Sequence, residues 1–356
     1  MSAIARARLG PQRLDRGERA TPAGLVASLG AVQAQDYAGA KWSLGLRLEG
    51  VTDADVERAL AERAIVRTWP MRGTLHFVAA ADVRWMLSLL SPRVVAAAAK
   101  RHRDLGLDEA TFARAGEIWA GALEGGAQLT REEMYEALEQ AGISAADQRG
   151  YHMLWRSAQE GLICFGAVRG KQQTFALLDE WVPATRPKAR DEALAEVARR
   201  YFRTRGPATV QDLTWWTGLT AADAKAALAM VRGELEGVEV EGQTYWSAGD
   251  GVERSEAATR AHLLPAFDEF LLAYKDRGAA LEAQYAKRLH AGGGAFSPSV
   301  AVDGRIRGTW RRTIKRDAVV VEATAFTRWT RAEREAIVAA AQRYGAFLGK
   351  KGTLAP

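Results

Sequence analysis

Three times before residue 250, segments of helical periodicity give way to two short apolar runs joined at a turn, and this recurrence limits the fold more than any other feature. In the first instance Thr21 to Leu29 reads as a short helix, with Thr21 as N-cap and Pro22 at its first position. Ala38 to Leu48 reads as a second helix. Thr52-Asp53-Ala54-Asp55 opens a third, with Val56, Leu60 and Ala64 on one face. Residues 65–78 then form two strand-like runs around Pro70 to Gly73. Three helices followed by a hairpin are the order of a winged helix, and a helix from Ala80 to Leu90 carries the chain out to Pro92.

The order recurs twice. Asp108 to Leu123 is helical, Leu129 to Glu133 supplies a cap with acids in the first turn, and Ala145 to Glu160 is a further helix. A hairpin follows from Leu162 to Val168 and from Gln173 to Leu178, turning at Arg169-Gly170-Lys171. After a linker from Val182 to Pro187 come helices at Asp191 to Tyr201 and Val210 to Thr214, and a turn from Trp215 to Thr220. A helix from Ala221 to Leu235 stands in the recognition position, and Val238 to Trp246 supplies strands. From His262 the texture changes to short strands, with Asp303-Gly304 as a two-residue hairpin signal, a strand at Ala318 to Ala323 and a terminal helix at Arg331 to Leu348. The expected fold is therefore α+β and helix-rich. Three tandem winged-helix modules occupy 1–95, 96–185 and 186–255, and a small β-barrel-like unit with a terminal helix occupies 256–356.

Composition narrows the function classes. The 356 residues are 48% hydrophobic and 26% charged, with no apolar stretch long enough to span a bilayer. The arginine-rich start is interrupted by Asp15 and Glu18, so it reads as a solvated lead-in and not as a transit peptide. One cysteine, Cys164 inside an apolar run, excludes a disulfide framework and a zinc cluster and reads as a packed strand residue. No metal is expected and no cofactor either, since the Gly292–Gly294 run lacks a phosphate-loop lysine. The expected setting is the cytoplasm, without membrane contact, and the expected state is a monomer. The net charge of +6, carried mainly by arginine, permits a polyanionic partner. Arg169 and Lys171 sit at a hairpin tip, and Arg305, Arg307, Arg311 and Arg312 with Lys315 and Arg316 make the densest basic stretch. Either set suits phosphates or an ordinary charged surface.

Between two apolar runs stands Gln33-Ala34-Gln35-Asp36, with Tyr37 and Trp42 close by. A buried amide without partners costs about 1–3 kcal/mol, so a polar pair here needs an account. It is either a pair of satisfied core amides or a grip for a water or substrate.

Four segments together resemble the AlkZ/YcaQ group of bacterial DNA glycosylases. They are Val32 to Asp36, Thr68 to His76 (containing Arg72-Gly73-Thr74-Leu75-His76), Leu263 to Arg277 (containing Phe267-Asp268-Glu269-Phe270), and Val302 to Trp310. The resemblance implies three winged helices with a barrel-like end, and hydrolysis of the N-glycosidic bond of N7-alkylguanine in double-stranded DNA, including bulky adducts and interstrand crosslinks. It assigns catalysis to Gln33 and Gln35 as a Gln-x-Gln motif. Asp36 lies one position too far on to match the Gln-x-Asp branch. Two amides two residues apart do not share a face of a regular helix, so the motif is expected on a helix-breaking segment. Asp36 and Tyr37 are expected to support it, Asp36 by orienting a basic residue or a glutamine. Arg72 and His76 are expected to reach phosphate or the lesion, and Asp268 and Glu269 to tie the last domain to the first. The other reading of three winged helices is a transcription regulator without catalysis. It is weakened because Ala221 to Leu235 carries only Lys225 and Arg232 for base readout.

Overall fold

Most of these elements form where their start and stop signals stand. The computed structural model describes residues 2–15, 17, 19–249, 259–292 and 295–355; Arg16, Glu18, Gly293, Gly294 and the expected module boundary at 255/256 lie outside them. The chain divides into two units. One joins Met1–Glu57, Ala195–Trp216 and Thr220–Pro356, and the other joins Arg58–Leu194 and Thr217–Leu219.

In the second unit, strands Ile65–Met71 and Thr74–Ala79 pair antiparallel. Arg72 and Gly73 both take positive φ, 53° and 70°, at the turn between them. Thr130 caps the helix Arg131–Gln140 in a reciprocal capping box with Glu133. The short strand Leu129–Thr130, then Gln172–Leu177, then Ile163–Arg169 make a three-stranded sheet in that spatial order. Trp69, Phe112, Trp119, Met134, Met153, Phe165 and Phe175 share one apolar core here. Burying a side chain of this size stabilises by roughly 1.5–3 kcal/mol. The Trp119 indole N–H keeps a partner by donating to the Met134 carbonyl at 2.8 Å.

Three local expectations give way. The helix after the first hairpin starts at Val83 and runs through Pro92 to Asp104. Proline removes one backbone bond, but Leu87 and Leu90 before it are buried, and Val94, Val95 and Ala98 beyond it pack against the core. The helix expected from Ala145 begins at Arg149, because Asp147 and Gln148 take positive φ. The paired tryptophans 215 and 216 lie inside the helix Val210–Thr217, and the stop is Gly218 with φ 75°.

In the first unit, Ala261–Leu264, Ser299–Val302, Arg305–Ile314, Ala318–Ala325 and Lys351–Leu354 form a five-stranded sheet in that order, with only the last pair parallel. Among the described residues the sheet is an open half-barrel, with Ala261–Leu264 and Lys351–Leu354 as its edges. Asp303 and Gly304, with φ 48° and 83°, make the expected tight turn. Helix Arg331–Phe347, capped by Thr330 and Glu333, packs Tyr344 against both Trp42 and Trp310. That packing sets the helix Tyr37–Gly45, which follows the Gln-x-Gln motif, against the sheet end of the same unit.

Candidate active site

The motif is not helical. Helix Pro22–Leu29 ends at Gly30, whose φ of 79° only glycine adopts cheaply, and Val32–Gln33 is extended. Asp36 then starts the next helix as its N-cap, accepting a hydrogen bond from the Gly39 amide at 3.1 Å. The glutamines are therefore presented on non-helical backbone, extended at Gln33 and irregular from Ala34 on. Gln33 is 7% exposed, whereas Gln35 is exposed to solvent.

The backbone of this segment is held by a buried ion pair that the sequence did not disclose as such. The Gln33 amide donates to Glu269 Oε1 at 3.1 Å. Glu269 Oε2 accepts from Arg205 Nε and Nη2, at 3.1 and 2.7 Å, and from the Trp216 indole at 2.8 Å. Arg205 also donates to the carbonyls of Leu29 at 2.7 Å and Ala31 at 3.0 Å. Its side chain is 0% exposed and that of Glu269 1%. Arg205 sits at the carbonyl end of helix Pro22–Leu29, where a cation complements the helix dipole.

Tyr37 supports a different neighbourhood. Its hydroxyl donates to Glu57 at 2.7 Å. The buried Lys41 bridges Glu57 and Asp53 at 2.6 and 2.8 Å and lies 5.0 Å from the Tyr37 ring centroid. Asp36, expected to orient a basic residue or a glutamine, has a helix cap as its described contact. Trp42 and Trp69 are core residues; Trp42 donates to the Leu263 carbonyl at 2.7 Å.

In the other unit, Arg72 stands at the tip of the first hairpin and His76 is buried on the returning strand. Arg72 Nη2 is 3.4 Å from His76 Nε2, and His76 Nδ1 is 2.8 Å from the Thr74 carbonyl. This fixes the tautomer: Nδ1 carries the proton and Nε2 accepts from the guanidinium.

The profile of the DNA glycosylase AlkZ-like family matches residues 26–347, a span that holds every candidate residue above. The chain belongs to the AlkZ-like DNA glycosylase family. Over 329 residues, 85% of each chain, it is 30% identical to a Streptomyces sahachiroi protein named as an interstrand DNA cross-link repair glycosylase. The solved structure of Streptomyces sahachiroi DNA glycosylase AlkZ shares its fold, with a TM-score of 0.81 at 24% identity over 99% of this chain and 98% of that one.

The basic residues of this glycosylase are less bare than the sequence suggests. Arg169 pairs with Glu133 at 2.8 Å, Arg305 with Glu282 at 2.6 Å, Arg307 with Glu333 at 3.1 Å, and Arg311 Nε with Glu322 at 2.9 Å. Arg312 lies 5.7 Å from the Tyr344 ring centroid, and Lys171 is exposed beside Gly170. The pairs of Arg169, Arg305 and Arg311 are exposed and contribute about 0–1 kcal/mol, little enough for a phosphate to compete, whereas that of Arg307 with Glu333 is partly buried. The Cys164 thiol is buried and its pKa is pushed up by burial, as suits a packed strand residue. Among the described residues no cluster of three or more His, Cys, Asp or Glu could hold a metal, and no helix is long and apolar enough to cross a membrane.

Asp268 and Glu269 do join the C-terminal stretch to the N-terminal one, through Arg47 and Gln33 respectively. Close to Asp268, His262 is fully buried on the first strand of the sheet, and neither ring nitrogen has a partner among the described residues. Burial, then the charges of Arg343, Arg47 and Arg260, lower its pKa from 6.5 to about 3, with Asp268 opposing. His262 therefore stays neutral in the fold while the unfolded chain takes up a proton below pH 6.5. Stability is expected to fall as pH drops from 6.5 towards 3, by about 1.4 kcal/mol per pH unit once well below 6.5. Urea unfolding midpoints at pH 7, 6 and 5 measure this, and a His262→Leu variant should flatten the slope. An equally steep slope in that variant would remove His262 as its source.

Proposed function

We propose that this glycosylase hydrolyses the N-glycosidic bond of N7-alkylguanine in double-stranded DNA by placing a water with Gln33 and Gln35. The observation that carries the reading is the irregular segment itself: one buried amide and one exposed amide, two residues apart, on backbone anchored by Glu269. Alkylation at N7 gives guanine a positive charge, so the base leaves neutral and needs little acid assistance. The sugar approaches an oxocarbenium ion, and what remains is to orient a water beneath it. A glutamine carbonyl is too weak a base to deprotonate that water early, but it can hold it and stabilise the developing positive charge. The exposed Gln35 is suited to meet the water, with Gln33 as its fixed companion.

The reading is monofunctional. The lysine nearest the motif in sequence, Lys41, is held by Asp53 and Glu57, which leaves it badly placed to form a Schiff base with the sugar. Interstrand crosslinks join the substrate class by analogy with the relative's name, and a self-resistance role is compatible with that. Phosphate contacts fall to Arg72, backed by the buried His76, and to Arg169 and Lys171, on the first two of three winged-helix modules, and to Arg305, Arg307, Arg311 and Arg312 on the C-terminal sheet of a monomer. Family membership does not favour the regulator reading. The test is incubation with duplexes carrying N7-methylguanine, a bulky N7 adduct or an N7-linked crosslink, scoring free base and alkali-labile sites. Release of free base without strand cleavage before alkali is the expected result. No release from any N7-alkylated duplex would overturn the substrate assignment.

A further inference from the structure

Buried ion pairs rarely add net stability, because desolvation offsets the attraction and an apolar pair of similar volume serves as well. The Arg205–Glu269 pair is therefore informative in where its hydrogen bonds go. The five N–H groups of the Arg205 guanidinium make five bonds: two to Glu269 Oε2, and one each to Thr204 Oγ1, the Leu29 carbonyl and the Ala31 carbonyl. Glu269 spends its second oxygen on the Gln33 amide. Alternate backbone groups at 29, 31 and 33 are thus gripped by one charge pair, across the glycine that ends the helix and up to the first motif glutamine. Trp216 completes the clamp, lying 4.1 Å from the guanidinium at its ring centroid while its N–H binds Glu269.

Resting on the catalytic reading of Gln33 and Gln35, we propose that Glu269, Arg205 and Trp216 are positioning residues for excision, fixing the backbone that aims the motif amides. None of the three needs to touch the substrate. A water-holding amide must stay within about 0.5 Å of its productive place, and a displacement of about 1 Å can cost on the order of 100-fold in rate. Two carbonyls and an amide cannot be gripped together by an apolar replacement, which explains a charged pair at this buried position. Lysine would not substitute for Arg205, since a single ammonium lacks the planar fork that spans Leu29, Ala31 and Glu269 at once.

The test separates positioning from general support. Glu269→Gln keeps the shape and an oxygen for the Gln33 amide but removes the charge. Val319→Ala removes methyl groups from a fully buried strand residue of the same unit, paired with Ile314 and Gly352, and serves as a destabilised control. Single-turnover excision at saturating N7-methylguanine duplex, DNA affinity and thermal midpoint are measured for each. Both variants should lower the midpoint. Only Glu269→Gln should lower the single-turnover rate, by about 10-fold or more, with affinity within about twofold. Equal rate losses in the two variants, or a wild-type rate in Glu269→Gln, would overturn the proposal. If Glu269→Gln does not fold, Trp216→Phe, which keeps the ring and removes one hydrogen bond, and Arg205→Lys decide by the same criteria. A wild-type rate in a Gln33→Ala, Gln35→Ala variant sinks the catalytic reading instead. A dead double variant beside a normal Glu269→Gln sinks the positioning alone.

Discussion

Replacing both motif amides, Gln33→Ala with Gln35→Ala, is expected to slow release of N7-methylguanine by about 100-fold or more, the scale of losing preorganised dipoles at a developing charge. Gln33 ends the short strand Val32–Gln33 and Gln35 lies on the loop after it, and the hydrogen bonds from Arg205 and Glu269 reach backbone groups at 29, 31 and 33, which alanine retains. The fold should therefore persist, and duplex binding should change little. The comparison is single-turnover excision with a binding isotherm on the same lesion duplex. A double variant that excises at the wild-type rate would move catalysis away from this segment.

Asp268→Ala is expected to have the largest effect on stability, about 3–5 kcal/mol, because it strands a buried guanidinium. Arg47 holds Asp268 through both of its terminal nitrogens at 2.8 Å, and it also donates to Ser43 and Gln12. Both side chains are essentially without solvent. Burial pushes the Asp268 carboxyl up, but Arg47, Ser43 and the Phe270 amide outweigh it and hold the group below its ordinary value. Equilibrium urea unfolding at pH 7 reads the loss. A cost under about 1 kcal/mol would mean that the pair is solvated and contributes as a surface pair does.

How far the sequence could be read depended on whether a signal was local. Thr21, Asp303-Gly304 and the Thr130–Glu133 box act within four residues, and each does locally what its chemistry predicts. Pro92 misled because the residues that hold its helix together come from the surrounding core, and no local rule weighs them. Trp215 and Trp216 looked like a turn because bulky aromatics beside Thr-Gly suggest one, whereas the stop is Gly218 alone. At the candidate site the Gln-x-Gln motif and its non-helical backbone were legible. Arg205 and Trp216 were not: nothing in an arginine near a helix end, or in a tryptophan pair, announces a partner more than fifty residues away. Glu269 was picked out as a tie between chain ends, yet which atom it would hold was invisible. The arginines at 305, 307 and 311 read as a dense basic stretch, either a phosphate wall or a solvated face, because their carboxylate partners sit elsewhere in the chain: Glu282 in a loop, Glu322 on the next strand and Glu333 on the terminal helix.

The Gln33 amide and its acceptor are 236 positions apart in the chain. Contacts of such long range form late, since the entropy of closing the intervening chain is lost before any bond rewards it. During synthesis the glutamines emerge early, yet they wait for residue 269 before their backbone can take its final course. A chain cut short anywhere before that point carries the complete motif without its anchor. Buried and bonded to the Glu269 carboxylate, the Gln33 amide hydrogen should be protected from exchange with solvent for as long as residue 269 holds it.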